Sequence, residues 1–173
     1  ASIKGWSMSS ILTNKAVVRV QKVLNEFSNS LKIIILDNTA KTAKDAANAL
    51  NCETGAIVKS LFLKADDKFI LCLIPGDKKC SLNKLKKTLL KKDVCMADAD
   101  QVKENTGFSI GGVSPVGHLK KTDVLIDKTF DRFKDVFAAA GHPNSIFKIS
   151  YLDLLKITNA KTLDISEWDS LIL

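Results

Sequence analysis

Gly55-Ala56-Ile57-Val58-Lys59-Ser60-Leu61-Phe62-Leu63-Lys64-Ala65-Asp66-Asp67-Lys68-Phe69-Ile70-Leu71-Cys72-Leu73-Ile74-Pro75 is the stretch on which the reading of this chain turns. Residues 57–64 and 68–75 are rich in β-branched, aromatic and leucine side chains. They are joined by Ala65-Asp66-Asp67, so they predict two strands of a hairpin. Side chains alternate along a strand, which puts Lys59, Leu61 and Leu63 on one face and Val58, Ser60 and Phe62 on the other. Both faces are mostly apolar, as expected of a strand covered on both sides. Lys59 is out of place there. It is either a lysine snorkelling at the strand's start or an ammonium held at the rim of a pocket, where it could donate to a carbonyl or phosphate.

Outward from the hairpin, helices and strands alternate. Ala16, Val17, Val20, Val23, Leu24 and Phe27 recur at helical spacing and predict one amphipathic helix over residues 11–27, with strand 33–36 after it. Thr42 and Asp45 have capping spacing ahead of a short helix with Ala43, Ala46, Ala47 and Leu50 on one stripe. Ser81 opens a basic helix with Leu82, Leu85 and Leu89 inward and Lys84, Lys87 and Lys91 outward. Residues 94–97 form a short strand, and Asp98 with Gln101 caps another helix. Residues 107–117 form a loop rich in glycine and proline. Residues 124–127, 136–140 and 146–149 read as strands, the last two turning through Gly141-His142-Pro143-Asn144. Ser150 and Asp153 cap a final helix. Paired hairpins with helices between them imply a mixed sheet in an α/β or α+β domain.

Composition narrows the class. The 173 residues are 46% hydrophobic and 26% charged, which suits one soluble globular domain. No apolar run approaches the roughly 20 residues of a membrane-spanning helix. Ala1–Met8 lacks a signal-peptide pattern. Residues 1–8 are expected to be a cloning remnant or a disordered leader, and 9–173 a single domain. Cys52, Cys72, Cys80 and Cys95 form no CxxC pair, so no structural zinc site is expected and the thiols read as reduced in a cytoplasmic protein. Net charge is +7, and Lys78, Lys79, Lys84, Lys86, Lys87, Lys91 and Lys92 crowd one segment before Asp93. Clustered base points to an anionic partner such as nucleic acid. A solvated helix face is the plainer alternative. The segment Gly111-Gly112-Val113-Ser114-Pro115-Val116-Gly117-His118 is neither a Walker loop nor a dinucleotide fingerprint. Its glycines let backbone N–H groups approach a ligand. His118 and His142 fall into no defensible triad order.

Taken together, these landmarks resemble the YbaK/EbsC family, whose relatives include the editing domain of bacterial prolyl-tRNA synthetases. They run in the family's order: Thr42–Ala47, Gly55–Leu61, Ile74–Asp77, Ala97–Val102, Thr106–His118, Ala140–Pro143 and Leu154–Ala160. The resemblance implies a mixed, largely antiparallel sheet that curls toward a partial barrel, flanked by helices. It implies a trans-editing hydrolase that deacylates mischarged tRNA without metal or organic cofactor. The expected partner is the 3′ acceptor end of an aminoacyl-tRNA, with prolyl-tRNA synthetase a candidate second partner and no membrane.

Lys59 falls on the family's essential lysine, and Gly111 and Pro115 fall on its GxxxP loop. Lys59, Gly111 and Gly112 are then the expected donors to the ester's developing oxyanion. Ser60, Ile110, Val113, Ser114, Pro115, Ala139, Gly141 and His142 are expected around the substrate, and Lys84, Lys87 and Lys91 on the tRNA backbone. Small amino acids such as Cys, Ala or Ser are the expected cargo, with the proline tRNA a candidate carrier. Ala138-Ala139-Ala140-Gly141-His142-Pro143 lacks the serine that members acting on cysteinyl-tRNA tend to carry. The alternative is a non-catalytic tRNA- or synthetase-binding module with the same fold.

Overall fold

A computed structural model describes residues 2–3, 6–37 and 41–171, with side chains described from Ser10 onward. Strands β1 (Ser2–Ile3) and β2 (Trp6–Ser7) form a small ribbon, and α1 (Met8–Leu12) follows. The expected cloning remnant, residues 1–8, lies partly outside the described residues.

The periodicity over residues 11–27 predicts one helix, and the structure has two. Helix α2 (Lys15–Phe27) starts afresh because the Asn14 side chain accepts from the N–H groups of Ala16 and Val17. An asparagine in that position satisfies orphan donors and favours a helix start over a helix interior. Strand β3 (Ile33–Ile35) and helix α3 (Ala43–Leu50) come next, the latter capped by Thr42 accepting from the Asp45 N–H at 3.1 Å.

The hairpin is β4 (Val58–Ala65) and β5 (Lys68–Pro75), paired along their full length, with Asp66 in the left-handed turn conformation. Then follow β6 (Lys78–Cys80), α4 (Leu82–Leu89), β7 (Val94–Met96) and α5 (Ala99–Thr106), the last with a complete Asp98–Gln101 capping box. After the glycine loop come β8 (Asp123–Asp127), β9 (Asp135–Ala139), β10 (Ser145–Ser150), α6 (Tyr151–Thr158), β11 (Lys161–Leu163) and β12 (Ser166–Trp168).

Four sheets result among the described residues: β11-β8-β5-β4-β7, β3-β10-β9, β12-β6 and the N-terminal ribbon. The five-stranded sheet is mixed, since β8 runs parallel to both β5 and β11. Its hairpin is buried on both faces, as the apolar pattern predicts. Val58, Phe62, Leu71 and Leu73 pack with Val20 and Leu24 of α2 and with Val136 and Phe147 of the three-stranded sheet. Leu63, Cys72 and Ile74 pack with Leu85 of α4 and with Ile165. Burying a side chain such as Leu85 contributes about 2 kcal/mol.

The two larger sheets fork at β4. Its outer edge meets β7 only at Leu63–Ala65, and Ile57, just ahead of β4, makes a single bridge to Phe137 of β9. Between those points the edge is open. The sheet therefore curls without closing into a barrel.

Candidate functional site

A cavity of about 430 Å³ occupies this fork. Its lining includes Ile57–Phe62 from β4, Thr42, Ala43 and Ala46 from α3, Met96 and Ala97 from the end of β7, Phe137 and Ala139 from β9, and Ile110, Gly111 and Val113 from the glycine loop. Of the predicted residues, Lys59, Ser60, Ile110, Gly111, Val113 and Ala139 come together here. Helix α3 and Ala97 are walls that nothing in the sequence marks as such. The alanine-rich stripe of α3 was legible only as a helix face, because nothing local says what the stripe packs against.

Strand geometry decides what the open edge presents. The Phe62 carbonyl accepts from the Ala97 N–H at 3.1 Å, so it points outward from the hairpin. The Ile57 carbonyl accepts from the Gly76 N–H at 2.8 Å and points inward. Backbone groups alternate in direction along a strand edge, so the N–H and C=O of Ser60 face the cavity side. The Ser60 hydroxyl is also buried without a partner among the described residues. An unmade bond of this kind is costly unless something else completes it.

Lys59 is half-buried, and its ammonium donates to the Lys78 carbonyl. Burial pushes the ammonium below the ordinary lysine value of 10.5, opposed by the charges of Asp169 and Asp77 and by Cys80. Lys59 and Ser60 thus line the same cavity but send their side chains to opposite faces of β4.

The glycine loop forms another wall. Gly111 has φ +96°, a conformation that L side chains rarely adopt, and its N–H donates to nothing among the described residues. Gly112 is different, since its N–H is committed to the Ser109 carbonyl at 3.0 Å. A Cβ on Gly112 would lie 3.1 Å from the His142 backbone, so it is packed against the β9–β10 turn. Ser114 is fully buried and its hydroxyl accepts from the Val116 N–H. Pro115 is buried, Gly141 packs on Ala16, and His142 is buried with Nδ1 accepting from the Asn144 N–H at 3.0 Å. Pro143 reaches the cavity where His142 does not. Gly112, Ser114, Pro115, Gly141 and His142 thus stand behind the wall and hold it.

Two residues fix the loop's feet: Arg19, which the sequence did not single out, and His118, which it offered without a role. Arg19 of α2 donates to the Gly117 carbonyl at 2.6 Å and to the Thr106 carbonyl at 3.1 Å, with its guanidinium over the Phe108 ring. His118 bonds the Ser114 carbonyl through Nε2 at 2.6 Å and sits edge-on to Phe108. Long-range clamps of this kind leave no periodic signal in a sequence.

The lysine stripe differs from its prediction. Lys84 is bound to Asp164 at 3.1 Å and to the Ser166 carbonyl at 2.6 Å. Lys91 lies beyond the end of α4, whose last turn closes at Leu90 in the left-handed conformation. Lys87 alone of the three is exposed, the other two being half-buried. A helix of eight residues is too short to carry a stripe from Lys84 to Lys91.

Residues 37–157 match the family model of the aminoacyl-tRNA editing domain. The chain is 30% identical to YwhH of Bacillus subtilis over 136 residues, covering 77% of this chain and 86% of that protein. It is 28% identical to the proline–tRNA ligase of Thermosipho africanus over 148 residues, 86% of this chain but 25% of the ligase. Among solved structures, that of a proposed trans-editing enzyme for prolyl tRNA synthetase superposes with TM-score 0.84 at 34% identity, covering 88% of this chain and 98% of that one. The chain belongs to the aminoacyl-tRNA editing domain family.

Proposed function

We propose that this chain hydrolyses the ester of a mischarged tRNA in trans, releasing a small amino acid. The observation that carries this reading is the cavity at the open edge of β4, which combines a lysine, a glycine N–H that donates to nothing among the described residues, and an apolar interior. Water attack on the ester carbonyl forms a tetrahedral oxyanion, and collapse returns the free amino acid and the ribose hydroxyl. The Gly111 N–H is a preorganised donor to that oxyanion, and Lys59 is a second donor once its ammonium leaves the Lys78 carbonyl. Ala43, Ala46, Ala97 and Ala139 suit a short side chain. No histidine, aspartate or glutamate lines the cavity among the described residues. The reading therefore assigns activation of the water to a ribose hydroxyl of the substrate. Similarity to synthetase editing regions and to a proposed trans-editing enzyme supports it.

One observation favours the second reading, a binding module without turnover: the Lys59 ammonium is already engaged by Lys78. A panel of mischarged tRNAs, followed by loss of the ester over time, separates the two. Wild-type protein is expected to deacylate at least one tRNA bearing Cys, Ala or Ser. Lys59→Ala is expected to lower that rate by about 10²–10³ with the fold intact. A folded Lys59→Ala variant with unchanged rate removes Lys59 from the chemistry. No hydrolysis by wild type leaves the binding module.

A further inference from the structure

The segment after residue 157 lies outside the family match, yet it is built in beside Lys59. Strand β12 pairs antiparallel with β6, and the register sets Trp168 opposite Lys78. The Lys78 ammonium stands 4.5 Å from the centroid of the Trp168 ring. The Arg132 guanidinium stands 5.3 Å from the same ring, held in place by two bonds to Asp77 at 2.8 and 3.0 Å. The backbone carbonyl of Lys78 is the one that accepts from Lys59. The indole is therefore one residue removed from the cavity's lysine.

Cation–π contacts explain why the ring is pinned. They do not explain why it is open: Trp168 keeps 53% of its surface exposed. The neighbouring charges are mostly spent. Arg132 is paired with Asp77, Lys79 with Glu167 at 3.5 Å, and Lys84 and Lys128 share Asp164. Lys78 is the exception in this cluster, with no carboxylate within 4.0 Å among the described residues. It is also only 7% exposed, so its charge is held in place and not free to sweep. A fixed ring that keeps about half its surface open, with a buried cation held over it, offers an unpaired base a surface on which to stack.

We propose that Trp168, pinned by Lys78, is a stacking site for an unpaired nucleotide of the RNA's single-stranded 3′ end, preceding the terminal residue whose ester enters the cavity. The proposal rests on the aminoacyl-tRNA reading above and adds a contact point outside the family's matched residues. Stacking on an aromatic tolerates any base, so the site grips the end without reading its sequence.

The test uses the full chain. It contains two tryptophans, so in a Trp6→Phe background the emission reports Trp168 alone. Titration with a single-stranded RNA tetranucleotide is expected to quench that emission. A blunt RNA duplex at equal phosphate concentration is expected not to. In kinetics, Trp168→Leu is expected to raise KM for mischarged tRNA by about 5- to 150-fold, with kcat unchanged. Trp168→Tyr restores most of the loss. Hydrolysis of the same amino acid esterified to a lone adenosine is expected to be unaffected by either change. An absence of quenching by single-stranded RNA overturns the proposal, whatever protein is later found to bind this face. So does an equal loss of activity on tRNA and on the lone nucleoside ester, which would make Trp168 a brace for Lys59. Quenching without any deacylation by wild type sinks the enzyme reading and leaves the RNA site standing. Deacylation with an unaltered KM in Trp168→Leu does the reverse.

Discussion

His118 holds the glycine loop through one nitrogen and has nothing at the other. Nε2 meets the Ser114 carbonyl, while Nδ1 is buried without a partner among the described residues. Protonating the ring would place a charge in that apolar pocket. Burial accordingly lowers the His118 pKa from 6.5, against the Ser114 bond that raises it and with Arg19 that lowers it further. The folded protein then binds fewer protons than the unfolded chain below pH 6.5. Stability from this group is complete above that pH and is lost as pH falls toward the lowered folded value. His142 shifts the same way through burial and contributes in the same window. Denaturant melts across pH 7 to 5 are expected to show a falling midpoint, and His118→Gln is expected to flatten part of that slope. An unchanged slope would mean that His118 is not the titrating group. Lys59 gives the opposite edge of the profile. With its pKa pushed down by burial, a rate that depends on its ammonium is expected to decline at lower pH than an ordinary lysine would allow.

At the scale of elements, the C-terminal strands hang on one buried carboxylate. Asp127, fully buried at the end of β8, accepts from the Thr129 N–H at 3.0 Å and hydroxyl and from the Ile165 N–H at 3.1 Å. Burial alone would raise its pKa, but these bonds outweigh it and hold it below the usual carboxylate value. Asp127→Ala orphans the Ile165 N–H and is expected to cost on the order of 3 kcal/mol. It is also expected to speed proteolysis after residue 160, as limited digestion would read. Elements with strong local signals were legible in the sequence: the hairpin, the capped helices α3, α4, α5 and α6, and the late hairpin of β9 and β10. Strands β6, β11 and β12 were not. Each is three residues long, and Lys78-Lys79-Cys80 or Ser166-Glu167-Trp168 offers no alternation to read. Their existence depends on partners far along the chain, Asp127 among them. The candidate site divides the same way. Lys59 and Gly111 stood out by residue type, whereas Arg19, Ala97 and the α3 wall arrive only through tertiary packing.

For the molecule as a whole, the net charge of +7 favours approach to RNA without fixing where it lands. The lysines first suspected make a scattered set, with Lys84 already paired. Replacing Lys84, Lys87 and Lys91 together by glutamine is expected to lower the slope of log binding constant against log salt by less than the roughly 0.7 per contact that three phosphate contacts would each supply. A fall matching three full contacts would restore the stripe as the RNA surface. The fork between the sheets has another consequence. An unpaired strand edge is ordinarily a template on which other chains add and aggregate. Here the open stretch of β4, from Val58 to Leu61, is about 13 Å long at about 3.3 Å per residue. β9 blocks one end, β7 blocks the other, and Ile110 and Gly111 line the space between. A stray strand entering it would be stopped after a bond or two. The molecule can thus keep a bare backbone edge for a small ligand while denying it to polymerising neighbours, and no charged gatekeeper is needed there.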